Sequence, residues 1–216
     1  MKTGNLLDLG LREYNQVLDL QRSLIVQRFN HQIPDTLILV EHSHIFTVGK
    51  SVASEIPITV NGVPVIRIER GGQWTYHGPG QLVGYPILDL DARERNIHHF
   101  LWSIEETIIL TLNEFGIKTE RVEGKGKTGV WVGKRKIASI GAAVRNWVTF
   151  HGFALNVNTD MQYFSMIEPC GMPSSTITSM KECLNGCVDL NKVKESILHR
   201  FEEVFQLKLA LQELPA

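Results

Sequence analysis

Apolar side chains recur every three to four residues in three segments, 11–29, 97–115 and 191–205, and this spacing predicts three helices. Asn96 is a favourable N-cap for the second helix, and Gly116 is a favourable residue for its end. Between the helical segments the pattern changes to short apolar runs.

These short runs are rich in β-branched and aromatic residues and predict strands. They are TLILVEH (36–42), IFTVG (45–49), VPVIRIE (63–69), LVGYPILDL (82–90), KTERV (118–122), GVWVG (129–133), KIASIGAAV (136–144) and VTFHGFALNV (148–157). Asn61-Gly62 is the signal of a type I′ hairpin turn. Few helices, many strands and no β-α-β alternation predict the α+β class, with residues 1–216 as a single domain.

Composition and charge argue against several classes of protein. The 216 residues carry a net charge of −1 at pH 7, which gives no sign of a nucleic-acid partner. No apolar run reaches the roughly 18 residues of a membrane span, and the first residues lack the apolar core of a secretion signal. Three cysteines, an odd number, argue against a disulfide framework. We therefore expect a soluble cytoplasmic protein that engages neither nucleic acid nor membrane.

Three further motifs fall short of nucleotide and metal sites. The segment GKGKT (124–128) ends like a phosphate-binding loop, but Arg121 stands where that loop needs its first glycine. The glycines at 78 and 80 lead into a predicted strand, not into the helix of a dinucleotide site. Cys183 and Cys187 lack a second pair of ligands nearby. We expect no metal and no cofactor.

Cys170 lies in the segment EPCGMP, where two prolines and a glycine predict a rigid loop. A free cysteine is usually a small buried apolar residue, and that interpretation stays open from residue type alone. A reactive cysteine needs its thiolate, and therefore a nearby cation or base. The candidates are Lys136, His77 and His151.

Four segments, in this order and at this spacing, resemble the octanoyltransferase family of lipoate biosynthesis. They are RGGQWTYHGPGQLVGYPILDL (70–90), GVWVGKRKIASIG (129–141), TFHGFALNVNTD (149–160) and EPCGM (168–172), and the resemblance extends from about Leu37 to Met180. It implies the fold of lipoate–protein and biotin–protein ligases, a mixed sheet flanked by helices. It also implies an acyltransferase that moves an octanoyl or lipoyl group to a lysine. The implied donor is octanoyl-acyl carrier protein, and the implied acceptors are lipoyl domains of 2-oxoacid dehydrogenases and the glycine cleavage H protein.

The same resemblance implies the site residues. Cys170 would accept the acyl group as nucleophile, forming an acyl thioester, and Lys136 would be its catalytic partner. The implied acyl-binding residues are Arg70, Gly71, Gly72, Gln73, Trp74, Thr75, Tyr76, His77, Ser139, Ile140, Gly141, Gly152, Phe153 and Ala154.

The glycine-rich loop at 70–80 fits this chemistry. Gly71, Gly72, Gly78 and Gly80 would let the backbone come close to a flat acyl thioester. Backbone N–H groups there can donate to an oxyanion. A tight crossing between two core strands is the simpler interpretation. His77 either orients the thioester or braces the loop, and the sequence does not distinguish these roles.

Two other functions compete with the transferase. An ATP-dependent lipoate or biotin ligase shares the fold but has no need of a nucleophilic cysteine, so Cys170 weighs against it. A non-catalytic module that binds carrier protein or lipoyl domain would not need both Cys170 and Lys136. A basic patch for an acidic carrier would have to be local, with Lys134, Arg135 and Arg145 as candidates.

Overall fold

The computed structural model describes residues 2–93, 95–124 and 126–213, with the side chain of Cys170 outside that description. The helices are α1 (Tyr14–Phe29), α2 (Ile97–Glu114), α3 (Met180–Leu184) and α4 (Leu190–Phe205). The strands are β1 (Lys2–Arg12), β2 (Thr36–His42), β3 (Ile45–Val48), β4 (Thr59–Val60), β5 (Val63–Arg67), β6 (Trp74–His77), β7 (Gln81–Ile87), β8 (Glu120–Arg121), β9 (Gly129–Val132), β10 (Arg135–Arg145), β11 (Val148–Asn156) and β12 (Leu207–Leu211).

The described strands form one large mixed sheet and one small sheet. The large sheet has the order β12-β1-β2-β7-β11-β10-β9-β8. Its strands β12, β1 and β2 run parallel, and the remaining neighbours pair antiparallel. The small sheet has the order β4-β5-β3-β6. Residues 78–80 connect the two sheets, because β6 ends at His77 in the small sheet and β7 begins at Gln81 in the large one.

The large sheet is covered on both faces, so its central strands are apolar on both sides. Helix α1 packs on one face through Val17, Leu24 and Ile25, against β2, β7 and β11. Helices α2 and α4 pack on the opposite face, where Ile104 and Phe201 belong to the larger core cluster. Within the described residues no helix is long and apolar enough to cross a membrane.

Several elements predicted from the sequence are confirmed. The side chain of Asn96 caps α2 by accepting from the N–H of His99 at 2.9 Å, and Gly116 follows the helix with φ of +74°. Asn61 and Gly62 both have positive φ, as a type I′ turn between β4 and β5 requires. The α+β class with a mixed sheet is confirmed as well.

Several sequence predictions about strands and helix bounds were wrong. Residues 2–12 form strand β1 although Gly4, Asn5, Asp8 and Gly10 are poor strand formers, because β1 pairs with a strand on each side. The first helix therefore begins at Tyr14, not at residue 11. Strand β1, helix α1 and the parallel strand β2 also make a β-α-β unit, which the sequence pattern did not indicate. Strands β6 and β12 and the short helix α3 were not predicted either.

Candidate active site

A narrow cavity of about 50 Å³ lies where β10 and β11 pass beside the segment 70–77. Of the residues implied from the sequence, Arg70, Gly71, Gly72, Thr75, His77, Ser139, Ile140, Gly141, Gly152, Phe153 and Ala154 line it. Tyr14, Val83, Tyr85 and His151 line it as well. The antiparallel register brings the two strand segments together, since Ser139 pairs with Ala154 and Gly141 with Gly152.

Three of the implied residues do not line the cavity. Side chains alternate along a strand, so Thr75 and His77 of β6 face the cavity while Trp74 and Tyr76 face away from it. Tyr76 is fully buried on that far side, where its hydroxyl lies 2.7 Å from Nδ1 of His44. Gln73 lies instead against the turn that contains Cys170, because a Cβ on Gly171 would be 2.9 Å from its Oε1.

The glycines of the loop divide between two tasks. Gly71 and Gly72 line the cavity, as the sequence predicts. Gly78 and Gly80 lie outside it and allow close packing within the core. A Cβ on Gly80 would be 2.7 Å from the carbonyl carbon of Asn158, and its φ is +81°. The tight-crossing interpretation therefore holds for this second half of the loop.

Arg70 is the one charged side chain among the lining residues that the structure describes. One of its terminal nitrogens donates to the carbonyl and the hydroxyl of Thr47, both at 2.9 Å. The other donates to the carbonyl of Gly71 at 2.9 Å. These bonds fix the guanidinium plane, and the side chain passes 3.0 Å from where a Cβ on Gly141 would lie.

His77 braces the loop against β7. Its Nδ1 lies 2.8 Å from Oε1 of Gln81. Nε2 of Gln81 donates to the Tyr76 carbonyl at 3.1 Å and to Oδ1 of Asn156 at 2.9 Å. This network assigns the amide oxygen of Gln81 as the acceptor, so Nδ1 of His77 carries the proton. The imidazole is therefore oriented by the fold while one side of it faces the cavity.

Two buried aromatic side chains, Tyr14 and Tyr85, form part of the cavity wall. The Tyr85 hydroxyl lies 2.8 Å from Nε2 of His42, whose Nδ1 lies 3.1 Å from the Arg12 carbonyl. A carbonyl only accepts, so Nδ1 of His42 donates to it and Nε2 accepts from Tyr85. Burial raises the pKa of Tyr14 to about 12, which keeps it neutral. None of these side chains presents a charge to the cavity, which favours an apolar ligand.

The three candidate bases beside Cys170 differ in charge. Burial lowers the pKa of His77 well below its ordinary value and lowers that of His151 to about 4. Both are therefore neutral at pH 7 and supply no cation. Lys136 is 1% exposed, and its Nζ donates to the carbonyls of Gly126 and Thr128 at 3.3 and 3.1 Å. Of the three candidates, Lys136 is the residue whose type is ordinarily cationic at pH 7, and its partnership with Cys170 stays a prediction.

The backbone of Cys170 lies in a short 3-10 turn, Pro169–Gly171. The N–H of Gly171 donates to the Glu168 carbonyl at 3.1 Å, and Gly171 has φ of +70°. The chain after this turn is tied to Lys136, whose carbonyl accepts from the N–H of Thr178 at 2.9 Å. The sulfur of Cys170 lies outside the described atoms, so its pairing with Lys136 stays a prediction.

The candidate docking residues do not form one patch. Lys134 and Arg135 lie at the hairpin turn before β10, whereas Arg145 ends that strand. At about 3.3 Å a residue, the two ends are roughly 30 Å apart. Arg135 is also paired with Glu182 at 3.2 Å. The three residues therefore do not belong to one local patch, and a contact of any of them with a carrier protein stays a prediction.

Protonation of the buried histidines should destabilise the fold in acid. The pKa is lowered to about 4 in His42 and His151, whereas a histidine in the unfolded chain titrates near 6.5. Between these two pKa values the unfolded chain binds more protons than the folded protein does. The neutral histidines therefore contribute to the free energy of unfolding at neutral pH, and this contribution is lost as the pH falls. Each of the two should remove roughly 2 kcal/mol of unfolding free energy between pH 7 and pH 5.

Urea unfolding at pH 7, 6 and 5 measures this loss. His42→Gln should flatten the pH dependence, and His98→Gln, at an exposed position, should leave it unchanged. A wild-type protein equally stable at pH 7 and pH 5 would contradict the assignment of neutral buried histidines.

Comparison with known proteins identifies the family. Residues 13–202 match the model of the lipoyl protein ligase A/B catalytic domain. The octanoyltransferase of Christiangramia forsetii is 40% identical over 228 residues, covering 95% of this chain and 97% of the relative. That of Geotalea uraniireducens is 43% identical over 198 residues, covering 92% and 91%. The chain belongs to the lipoyl protein ligase A/B family.

A solved structure agrees with this family's fold. The bi-partite lipoate protein ligase of Thermoplasma acidophilum superimposes with a TM-score of 0.73 at 16% identity, covering 100% of this chain and 88% of that one. The ligase-like fold implied by the four sequence segments is confirmed. In this chain Tyr14, Val83 and Tyr85 are lining residues that sequence reasoning missed, because buried residues of α1 and β7 look like ordinary core positions.

Proposed function

We propose that the protein is an octanoyltransferase that moves an octanoyl or lipoyl group from a carrier protein to a lysine of a lipoyl domain. One observation carries the proposal: the turn around Cys170 lies against Gln73, which in sequence directly follows Gly71 and Gly72 of the cavity wall. The segment after the turn is held to Lys136. The identity to named octanoyltransferases supports the same reaction.

The proposed reaction has two steps. The Cys170 thiolate, stabilised by the Lys136 ammonium, attacks the thioester carbonyl of the donor. The bond from carbon to the carrier sulfur breaks, the carrier sulfur takes a proton from the Lys136 ammonium and leaves as a thiol, and an acyl thioester forms on Cys170. Lys136 is then neutral. The amine of the acceptor lysine then attacks this thioester, an amide forms, and the Cys170 thiolate is released. Neutral Lys136 accepts the proton that the amine loses.

The proposal extends to partners and location. The donor is octanoyl-acyl carrier protein, and the acceptors are the lipoyl domains of 2-oxoacid dehydrogenases and the glycine cleavage H protein. Residues 1–216 act as one catalytic domain in the cytoplasm. Transfer from a thioester to an amine is downhill, so no nucleotide is consumed.

Intact-mass spectrometry after mixing the protein with octanoyl carrier protein tests this function. An octanoyl adduct that maps to Cys170 without ATP is the expected result. A ligase would instead acylate an added lipoyl domain only with ATP and free octanoate, and would carry no covalent adduct itself. A protein that forms no adduct and acylates no lipoyl domain under either condition would be a non-catalytic binding module.

The length of the donor's acyl chain should affect the transfer rate, because buried side chains limit the proposed acyl cavity. Each buried methylene contributes about 0.8 kcal/mol, so a six-carbon donor should lose roughly 1.6 kcal/mol, or about fifteen-fold in transfer efficiency. The transfer efficiency of a fourteen-carbon donor should fall further, since a longer chain would have to displace the buried side chains of Tyr14 and Tyr85. Transfer rates at subsaturating donor measure the profile, and equal rates from six to fourteen carbons would contradict a closed cavity.

A further inference from the structure

The segment from Gly126 to Gly129 forms part of the surroundings of the Lys136 ammonium. Its carbonyls at Gly126 and Thr128 accept from Nζ, which also lies 5.0 Å from the centre of the Trp131 ring. These groups stand where water would otherwise solvate a buried cation. The position of this segment therefore affects how strongly Lys136 is held in its charged form.

The backbone of this segment follows a path that suits glycine. Gly129 has φ of +139°, and a Cβ there would lie 2.4 Å from the Ala138 carbonyl oxygen and 3.4 Å from Cε of Lys136. Glycine permits this approach but contributes no side-chain contact, and it has more conformational freedom to lose than any other residue. The segment is held on one side by the pairing of Gly129 with Ser139 and by the Lys127 carbonyl, which accepts from the Trp131 indole at 2.9 Å.

Glu105 of α2 supplies an anchor. Its Oε1 accepts from the N–H of Gly129 at 3.0 Å. Its Oε2 lies 3.2 Å from Nε of Arg121, an ion pair, and the side chain of Glu105 is only 13% exposed. A hydrogen bond to a carboxylate is stronger than one between neutral groups. Arg121 also pairs with Glu106, so it keeps a carboxylate partner if Glu105 is changed.

We propose that Glu105 is a positioning residue for Lys136. Its carboxylate holds the N–H of Gly129, and thereby keeps the neighbouring carbonyls against the Lys136 ammonium. This inference rests on the proposed function, in which that ammonium stabilises the Cys170 thiolate. Without the Glu105 carboxylate, the segment from Gly126 to Gly129 moves away from Lys136. The Lys136 ammonium then loses hydrogen-bond acceptors, and the Cys170 thiolate loses the cation that stabilises it.

Alkylation of Cys170 by iodoacetamide, followed across pH by peptide mass, tests the proposal in the full chain. Glu105→Met keeps the side-chain length and removes the acceptor, and Glu105→Gln keeps one acceptor oxygen. Glu106→Gln is the matched control, because Glu106 pairs with Arg121. We expect Glu105→Met to slow alkylation at pH 7 by roughly threefold or more and to slow transfer in parallel. Glu105→Gln and Glu106→Gln should stay within about twofold of wild type.

A folded Glu105→Met protein whose alkylation profile overlays that of the wild type would overturn the inference. If that variant does not fold, Glu105→Asp replaces it, because its carboxylate is one methylene too short to reach Gly129 and the same shift is expected. Alkylation uses no acyl group. A wild type that fails to transfer octanoate, with variants that still differ in alkylation, would therefore refute the proposed function and support the role of Glu105.

Discussion

Replacement of Cys170 by alanine is expected to lower octanoyl transfer by at least about a thousandfold and to abolish the covalent adduct, because the nucleophile is removed. The fold should be retained, since the turn is shaped by Pro169 and by Gly171 with its positive φ. Alanine fits the backbone of this 3-10 turn. Transfer rate and intact mass are the two measurements.

The chain offers matched controls for this experiment. Cys183 is half-buried and Cys187 is exposed, and alanine at either position should leave transfer and adduct formation intact. A folded Cys170→Ala protein that still forms an octanoyl adduct would mean that another residue accepts the acyl group. If, in addition, the Cys183 or the Cys187 variant lost the adduct, that cysteine would be identified as the acyl acceptor.

Lys136→Met should reduce both alkylation of Cys170 at pH 7 and octanoyl transfer by roughly tenfold or more, because the cation that favours the thiolate is removed. The alkylation profile should move to higher pH. Lys134→Met is the control for alkylation, which uses no carrier protein, since this exposed lysine lies two residues away in the hairpin turn. Overlapping profiles for wild type and Lys136→Met would exclude Lys136 as the partner of Cys170.

Much of the fold could be predicted because its signals are local. The cap at Asn96, the turn at Asn61-Gly62 and the apolar runs of β2, β10 and β11 each depend on neighbouring residues only. Strands β1 and β12 could not be found in this way. Their pairing partners are distant in sequence, and pairing overrides the weak strand preference of residues such as Gly4 and Asp8.

The candidate site likewise contains some residues that the sequence could identify and others that it could not. Residues such as Ser139–Gly141 and Gly152–Ala154 could be assigned because they lie in contiguous motifs that resemble the family, and the pairing of β10 with β11 then brings them together. Tyr14 reaches the cavity from α1, and no pattern within α1 signals this. The sequence left the role of His77 open, because its orientation depends on Gln81 and, through Gln81, on Asn156.

That amide network also bears on how accurately the sheet assembles. Gln81 and Asn156 are directly opposite each other in the pairing of β7 with β11, and both are almost fully buried. A shift of either strand by one residue would turn its side chains to the opposite face. Two amides would then be buried without partners, at a cost of about 1–3 kcal/mol each. A misaligned sheet is therefore disfavoured during folding, and with it a protein whose acyl cavity is malformed.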